Sequence, residues 1–175
     1  MKEQNWIYIN NEDNSSRYAL GTKGFNTLFC FGINPSYACP ERLDPTFKNV
    51  QSISKNNGYD SWIMFNIYPK RDTHFENLNI DINNNDHIKN IEVISDITEK
   101  CEVIDIWLAF GNHIYDRKYL IPCLIDIYEK LKNKNVRWFS IGCNKSGAPK
   151  HPLYQSKNSQ LIAFDMIKYI ESLCD

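Results

Sequence analysis

The sequence has no G-x-G-x-x-G and no G-x-x-x-x-G-K-[ST], the glycine loops that wrap dinucleotide and triphosphate groups, so no cofactor of the nicotinamide, flavin or ATP kind is expected. G-x-S-x-G is absent as well, which removes the usual serine hydrolase. Six cysteines include no C-x-x-C pair and four histidines no H-x-x-H pair, so no bound metal is expected. No stretch approaches the roughly 18 apolar residues of a membrane span, and the first six residues lack an apolar signal core. A cytoplasmic protein without membrane contact is the expectation. The net charge of -1 supplies no global attraction to nucleic acid, so any binding to DNA would need a local basic groove.

What is present is an ordinary apolar content of 42% in 175 residues, enough for one domain spanning 1–175. Four apolar runs without helical spacing read as buried strands: Thr27–Ile33, Ser61–Phe65, Val103–Phe110 and Val136–Gly142. Trp6–Ile9 reads as an edge strand and Arg17–Leu20 as a short strand or the start of a packed segment. Thr46 can cap a helix over 47–57 that Gly58 closes. Asp86 can cap a second helix to about Lys100, with Ile88, Ile91, Ile94 and Ile97 as its buried stripe. A third helix is predicted over 116–133, kinked or split at Pro122. A fourth runs over 159–174 and buries Leu161, Phe164, Ile167, Ile170 and Leu173. The alternation predicts a three-layer α/β/α sandwich around a mostly parallel, four-stranded sheet. Cys30 and Cys101, in or beside apolar segments, read as small core residues; Cys143 ends a strand, but no base is fixed beside it.

Each core run ends in polar, turn-forming residues, and open α/β sheets bind ligands outside the C-terminal ends of their strands. Asn34, before Pro35, is either a plain turn residue or an amide that holds a water or a sugar hydroxyl. Ser36 offers a hydroxyl from the same turn. Asn66 either caps its strand or pairs with the edge of a nucleobase, offering one donor and one acceptor. Tyr68 can stack on a base or cover the core. Lys70 and Arg71, on a polar stretch to Asn85 expected to cross the site, are candidate phosphate ligands, as are Lys145 and Lys150. His151, fixed by Pro152 amid lysines, can stabilise an oxyanion on a departing base. Asp44 and Asp86 have cap or turn explanations, and no carboxylate pair suggests a glycoside-hydrolase acid and base.

Arg17–Leu20, Asn34–Ser36, Asp44–Thr46, Asn66–Arg71, Asn85–Asp86, Gly111–Asn112 and Lys145–Tyr154 resemble the domain-of-unknown-function family 1643. The order of motifs is also similar to the uracil-DNA glycosylase superfamily. Gly32–Pro35 resembles its first motif, where an Asn positions the attacking water; Asn66 is placed like its base-reading Asn; His151–Leu153 resembles its His-Pro loop. The resemblance implies that Asn34 and His151 are catalytic, that Asn66 holds a flipped base, and that Leu153 or Tyr154 fills the vacated stack. Asn34 stands where the fastest enzymes of that superfamily have Asp, and Ser36 and Leu153–Tyr154 depart from its motifs. The readings that follow are a hydrolase of the N-glycosidic bond of a modified or damaged base in DNA or a nucleotide, a binding module for the same ligands, or a small-molecule enzyme on a flavodoxin-like scaffold.

Overall fold

A computed structural model describes residues 5–72 and 81–174. Seven strands form one sheet: β1 (Trp6–Asn10), β2 (Arg17–Thr22), β3 (Thr27–Gly32), β4 (Ser61–Asn66), β5 (Ile104–Leu108), β6 (Val136–Ser140) and β7 (Ile162–Ala163), in the order β1-β2-β4-β3-β5-β6-β7. The four predicted core strands are its parallel centre, β4-β3-β5-β6. The expected four-stranded sheet is therefore corrected to seven strands, because β1, β2 and β7 extend the centre antiparallel on both sides. Four helices accompany it: α1 (Pro45–Asn56), α2 (Asn84–Thr98), α3 (Leu120–Leu131) and α4 (Met166–Cys174).

Alternating side chains send each central strand into two cores, as a sheet covered on both faces requires. Phe29 and Phe31, Ile63 and Phe65, and Ile104, Ile106 and Leu108 face α2, α3 and α4. Leu28 and Cys30, Trp62 and Met64, and Trp107 face α1. Phe29 stacks on Phe65 with ring centroids 5.7 Å apart, a cross-strand pair that locks β3 to β4 in register.

Helix ends depart from the sequence expectation in consistent ways. Asp44, not Thr46, caps α1: its side chain accepts from the Phe47 N–H at 2.9 Å, and Pro45 takes the first helical position, where no amide donor is needed. Asn83, not Asp86, caps α2, accepting from the N–H groups of Asn85 and Asp86. A three-residue stripe drifts around a helix that turns every 3.6 residues. Ile88 is accordingly exposed, while His87, Asn90, Val93, Ile94 and Thr98 are buried. A 3-10 turn (Gly111–Tyr115) precedes α3, so Pro122 falls in the helix's first turn and breaks nothing. The predicted helix 159–174 is strand β7 followed by α4. The edge of β6 takes Ala163 and Ile162 as partners, and Asp165 starts the helix by accepting from the Lys168 N–H at 3.0 Å. Met166 and Tyr169 are buried, and Ile167 is 61% exposed. Of the polar stretch expected to cross the site, residues 73–80 lie outside the described residues. Among the described residues no helix is long and apolar enough to cross a membrane, and no cluster of His, Cys, Asp and Glu could hold a metal ion.

The join between the antiparallel flank and the parallel centre runs through Gly21. A Cβ there would lie 2.1 Å from the Trp62 carbonyl oxygen and 2.6 Å from the Ile63 Cα, both rigid backbone in β4. Gly21→Ala is expected to lower stability by about 3 kcal/mol or more, since overpacking against backbone cannot relax by a rotamer change. Urea unfolding followed by tryptophan fluorescence checks this, and a loss under about 1 kcal/mol would show that β2 does not pack tightly on β4.

Candidate active site

The C-terminal ends of β3, β4, β5 and β6 open into one cleft of about 710 Å³. Each strand end contributes to it: Asn34 after β3, Asn66 at the end of β4, Asn112 after β5, Lys150 and His151 after β6.

Asn34 is oriented by its backbone surroundings. Its Nδ2 donates to the Asp72 carbonyl at 2.9 Å, and the Asp72 N–H in turn donates to the Pro35 carbonyl at 2.9 Å. A carbonyl partner settles which way the amide is turned, leaving Oδ1 as an acceptor on a residue that lines the cleft. Ser36 lines the cleft too, but its hydroxyl is occupied: it donates to Asp44 Oδ2 at 2.6 Å and accepts from the Ala38 N–H at 3.2 Å. Asp44 is thus a cap and turn carboxylate, with Oδ1 on the Phe47 N–H and Oδ2 on Ser36.

Asn66 is 1% exposed, and its Nδ2 has no hydrogen-bond partner among the described residues. Its backbone carbonyl is held by Asn90 Nδ2 at 2.9 Å, which ties the strand end to α2. A Cβ on Gly32 would meet Asn66 Oδ1 at 3.0 Å and Met64 Cε at 2.7 Å, so the amide occupies space that only glycine leaves open. Buried amide donors are nearly always satisfied. One that is not, on a residue lining the cleft, makes Asn66 a candidate contact.

His151 Nδ1 accepts from the Leu153 N–H at 3.1 Å, which places the proton of the neutral ring on Nε2. Burial, and to a smaller extent the nearby His113, push its pKa from 6.5 down to about 4, so the ring is neutral at pH 7. Its loop is tied down by the Gly111 N–H on the Pro149 carbonyl, 3.0 Å, and by Asn49 Nδ2 on the Pro152 carbonyl, 2.9 Å. Beyond it, Tyr154 is 92% exposed with a left-handed φ of 63°, a conformation that side chains with a Cβ rarely adopt.

Of the residues singled out from sequence, Asn34, Ser36, Asn66, Lys150, His151, Leu153 and Tyr154 meet at this cleft. Tyr68 does not. It is fully buried against Tyr119, its hydroxyl accepting from the Asn83 N–H, so it supports α2 instead of stacking on a ligand. Lys70 pairs in a backbone bridge with Ser16 outside the cleft, and Lys145 is exposed outside it. Arg71 is 4% exposed and sits behind the cleft wall, not on a surface loop. Arg17, which the sequence does not single out, lines the cleft as well. Its signal is a cation opening the apolar run Arg17–Leu20, where a strand buried along its whole length has no ordinary use for one.

A family model described as a protein of unknown function (DUF1643) matches residues 17–153. The chain belongs to this family. The DUF1643 match starts at Arg17 and ends at Leu153, both on the cleft, and takes in every lining residue except Tyr154 and Gln155. No curated protein and no solved structure matches the chain.

The histidine generates a direct test. The folded state resists protonation of His151 while the unfolded chain accepts it near the ordinary value, so the stability this gives is present above about pH 6.5 and lost as pH falls through about 4. Proton NMR of the His151 Cε1–H is expected to show a midpoint near 4, and His151→Gln should flatten the acid limb of the stability curve over that window. A midpoint near 6.5 would show an imidazole open to water.

Proposed function

We propose that the cleft binds a nucleobase and hydrolyses its N-glycosidic bond, in DNA or in a nucleotide. The observation that carries this reading is the unpartnered, buried amide of Asn66 at a strand end. A carboxamide is the side chain that matches a base edge bidentately, one donor beside one acceptor. Support comes from the groups lining the same cleft, Asn34 with a free-standing acceptor role for Oδ1 and a neutral His151, and from the similarity of this motif order to the uracil-DNA glycosylase superfamily.

In this mechanism Asn66 pairs with the base and fixes it against the wall. Asn34 Oδ1 accepts a hydrogen bond from a water and aims its oxygen at the sugar C1′. As the C1′–N bond breaks, the bonding pair leaves with the base, and His151 Nε2–H donates to the base oxygen on which that charge collects. The water oxygen bonds to C1′ and its proton passes to the departing base or to solvent. A neutral imidazole suits this role, since it stabilises the developing anion without carrying a charge into the ground state.

A second reading is a binding module that recognises the same base without cleaving it. The engagement of both Asp44 oxygens favours it, because that cleft carboxylate is held in cap and turn bonds instead of facing a water as a base.

Oligonucleotides carrying uracil, hypoxanthine, mismatched thymine or modified pyrimidines, followed by alkali treatment and gel analysis, separate the two. The hydrolase predicts alkali-labile sites at one of these bases, reduced about 100-fold or more by Asn34→Ala or His151→Gln, with DNA affinity largely kept in Asn34→Ala. Retained binding with no product on any base would leave the binding module.

A further inference from the structure

Two guanidinium groups lie buried side by side at the turn that follows β3. Arg17 Nη1 donates to the Ala38 carbonyl at 2.9 Å and reaches the Ser36 carbonyl at 3.5 Å. Arg71 Nη1 donates to the same two carbonyls, at 2.5 Å to Ser36 and 3.5 Å to Ala38, and its Nη2 to Tyr8 Oη at 2.7 Å and Asn14 Oδ1 at 2.9 Å. All of these acceptors are neutral. Neither arginine forms an ion pair among the described residues.

Buried cations of like sign at this spacing are costly unless charge of the other sign comes near. Burial first, and then Arg71, bring the Arg17 pKa from 12.5 down to about 9, with Asp44 opposing in part. Asp44 and Asp72 line the same cleft as Arg17, and Lys150 adds a cation to the two guanidiniums. The two arginines differ in access. Arg71 is behind the wall, whereas Arg17 lines the cleft and lies over the Phe47 ring at 4.8 Å; the Nε–H of each has no acceptor among the described residues. Arg17 is thus 1% exposed, charged, under-bonded and on the same cleft as the under-bonded Asn66.

We propose that Arg17 is the anion-recognition residue of the cleft and seats a phosphate group of the ligand, with Arg71 behind it holding the turn and raising the positive potential. The anion site stands on the arginine pair; that the anion is a nucleotide phosphate rests on the nucleobase reading above. Arg71, a phosphate candidate from sequence, becomes the supporting cation, and Arg17 the contact.

Calorimetric titrations at fixed ionic strength test this with inorganic phosphate, ribose 5-phosphate, a nucleoside, its 5′-monophosphate and a trinucleotide, on the wild type, Arg17→Lys and Lys150→Gln. The expected result is binding of the monophosphate or the trinucleotide at least about tenfold tighter than the nucleoside, the worth of one or two charge-assisted hydrogen bonds. That advantage should fall below about threefold in Arg17→Lys, which keeps the charge but loses the planar fork, and survive in Lys150→Gln. Preference for the monophosphate or the trinucleotide tells a terminal phosphate from a backbone one. Equal affinity for nucleoside and nucleotide in the wild type overturns the proposal and makes Arg17 a clamp of the turn alone. Loss of the advantage in Lys150→Gln but not in Arg17→Lys overturns it in favour of the lysine. If ribose 5-phosphate binds as well as the nucleotide, the nucleobase reading fails and the anion site stands; if nothing binds, both fail. Should Arg17→Lys not fold, phosphate titration of the wild type decides by NMR: the buried arginine Nε–H resonances shift if the site exists and stay still if it does not.

Discussion

The Ser36 and Ala38 carbonyls follow the sheet in a half-buried turn, where backbone acceptors turned inward must find donors. Arg17 and Arg71 supply them, and the cleft depends on that clamp. The two arginines come from segments stitched to each other: the Arg17 N–H donates to the Pro69 carbonyl, the Arg71 N–H to the Ser15 carbonyl, both at 2.9 Å, around the Ser16–Lys70 bridge. Tyr8 on β1 closes the set by accepting from Arg71. The antiparallel strands at this side of the sheet therefore do more than cover an edge. Arg17 on β2 and Tyr8 on β1 join Arg71, from the segment after β4, in holding the cleft-side turn that follows Asn34.

The opposite wall is held by different chemistry. Asparagines along α1 donate to loop carbonyls that no sheet can satisfy: Asn49 to Pro152, Asn56 to Lys157 and Asn57 to Ser159, each at 2.9 Å. Amides can do this without the desolvation penalty of a charge, so the His151 loop is pinned while the positive charge stays with Arg17, Arg71 and Lys150. Helix α1 consequently joins both walls. Its N-cap, Asp44, accepts from Ser36 in the turn after β3, and Asn49 and the C-cap Asn57 hold the segment after β6. A change in α1 would be felt on both sides of the cleft.

The parallel centre of the fold was legible because runs such as Thr27–Ile33 and Ser61–Phe65 are apolar on both faces, a pattern that only a doubly covered strand needs. Strand-end residues followed from it, since parallel strands place their C-terminal ends together, and Asn34, Asn66 and His151 do meet. The rest was hidden for identifiable reasons. Strand β7 is two residues long inside a segment whose apolar spacing also fits a helix, and only the need to pair the β6 edge reveals it. Asp44 and Thr46 are both good caps; Pro45 decides between them by its place at the first helical position. Tyr68 reads as a ligand-stacking aromatic until α2 is seen to rest on its hydroxyl. Arg17 reads as a strand's polar first residue because its partners, the carbonyls of residues 36 and 38, carry no side-chain signature at all.

The cleft also sorts its groups by charge. Neutral polar side chains, Asn34, Asn66 and His151, stand at strand ends, while the permanent cations stand at the turn and on the lining near Gly142. His151 stays neutral mainly through burial, so its role does not rest on a compensating carboxylate whose negative charge would repel an anionic ligand. Asp44, the carboxylate that acts most on Arg17, spends both oxygens on the Ser36 hydroxyl and the helix cap, which fixes its charge in place without an ion pair to the guanidinium. A ligand with a neutral hydrogen-bonding edge and a separate negative group meets complementary partners in both parts. One with only the first would leave the charge of Arg17 buried without an opposite, and one with only the second would leave the Asn66 amide unpaired. Nucleotides join such an edge and such an anion through a sugar, which makes them the proposed ligand class.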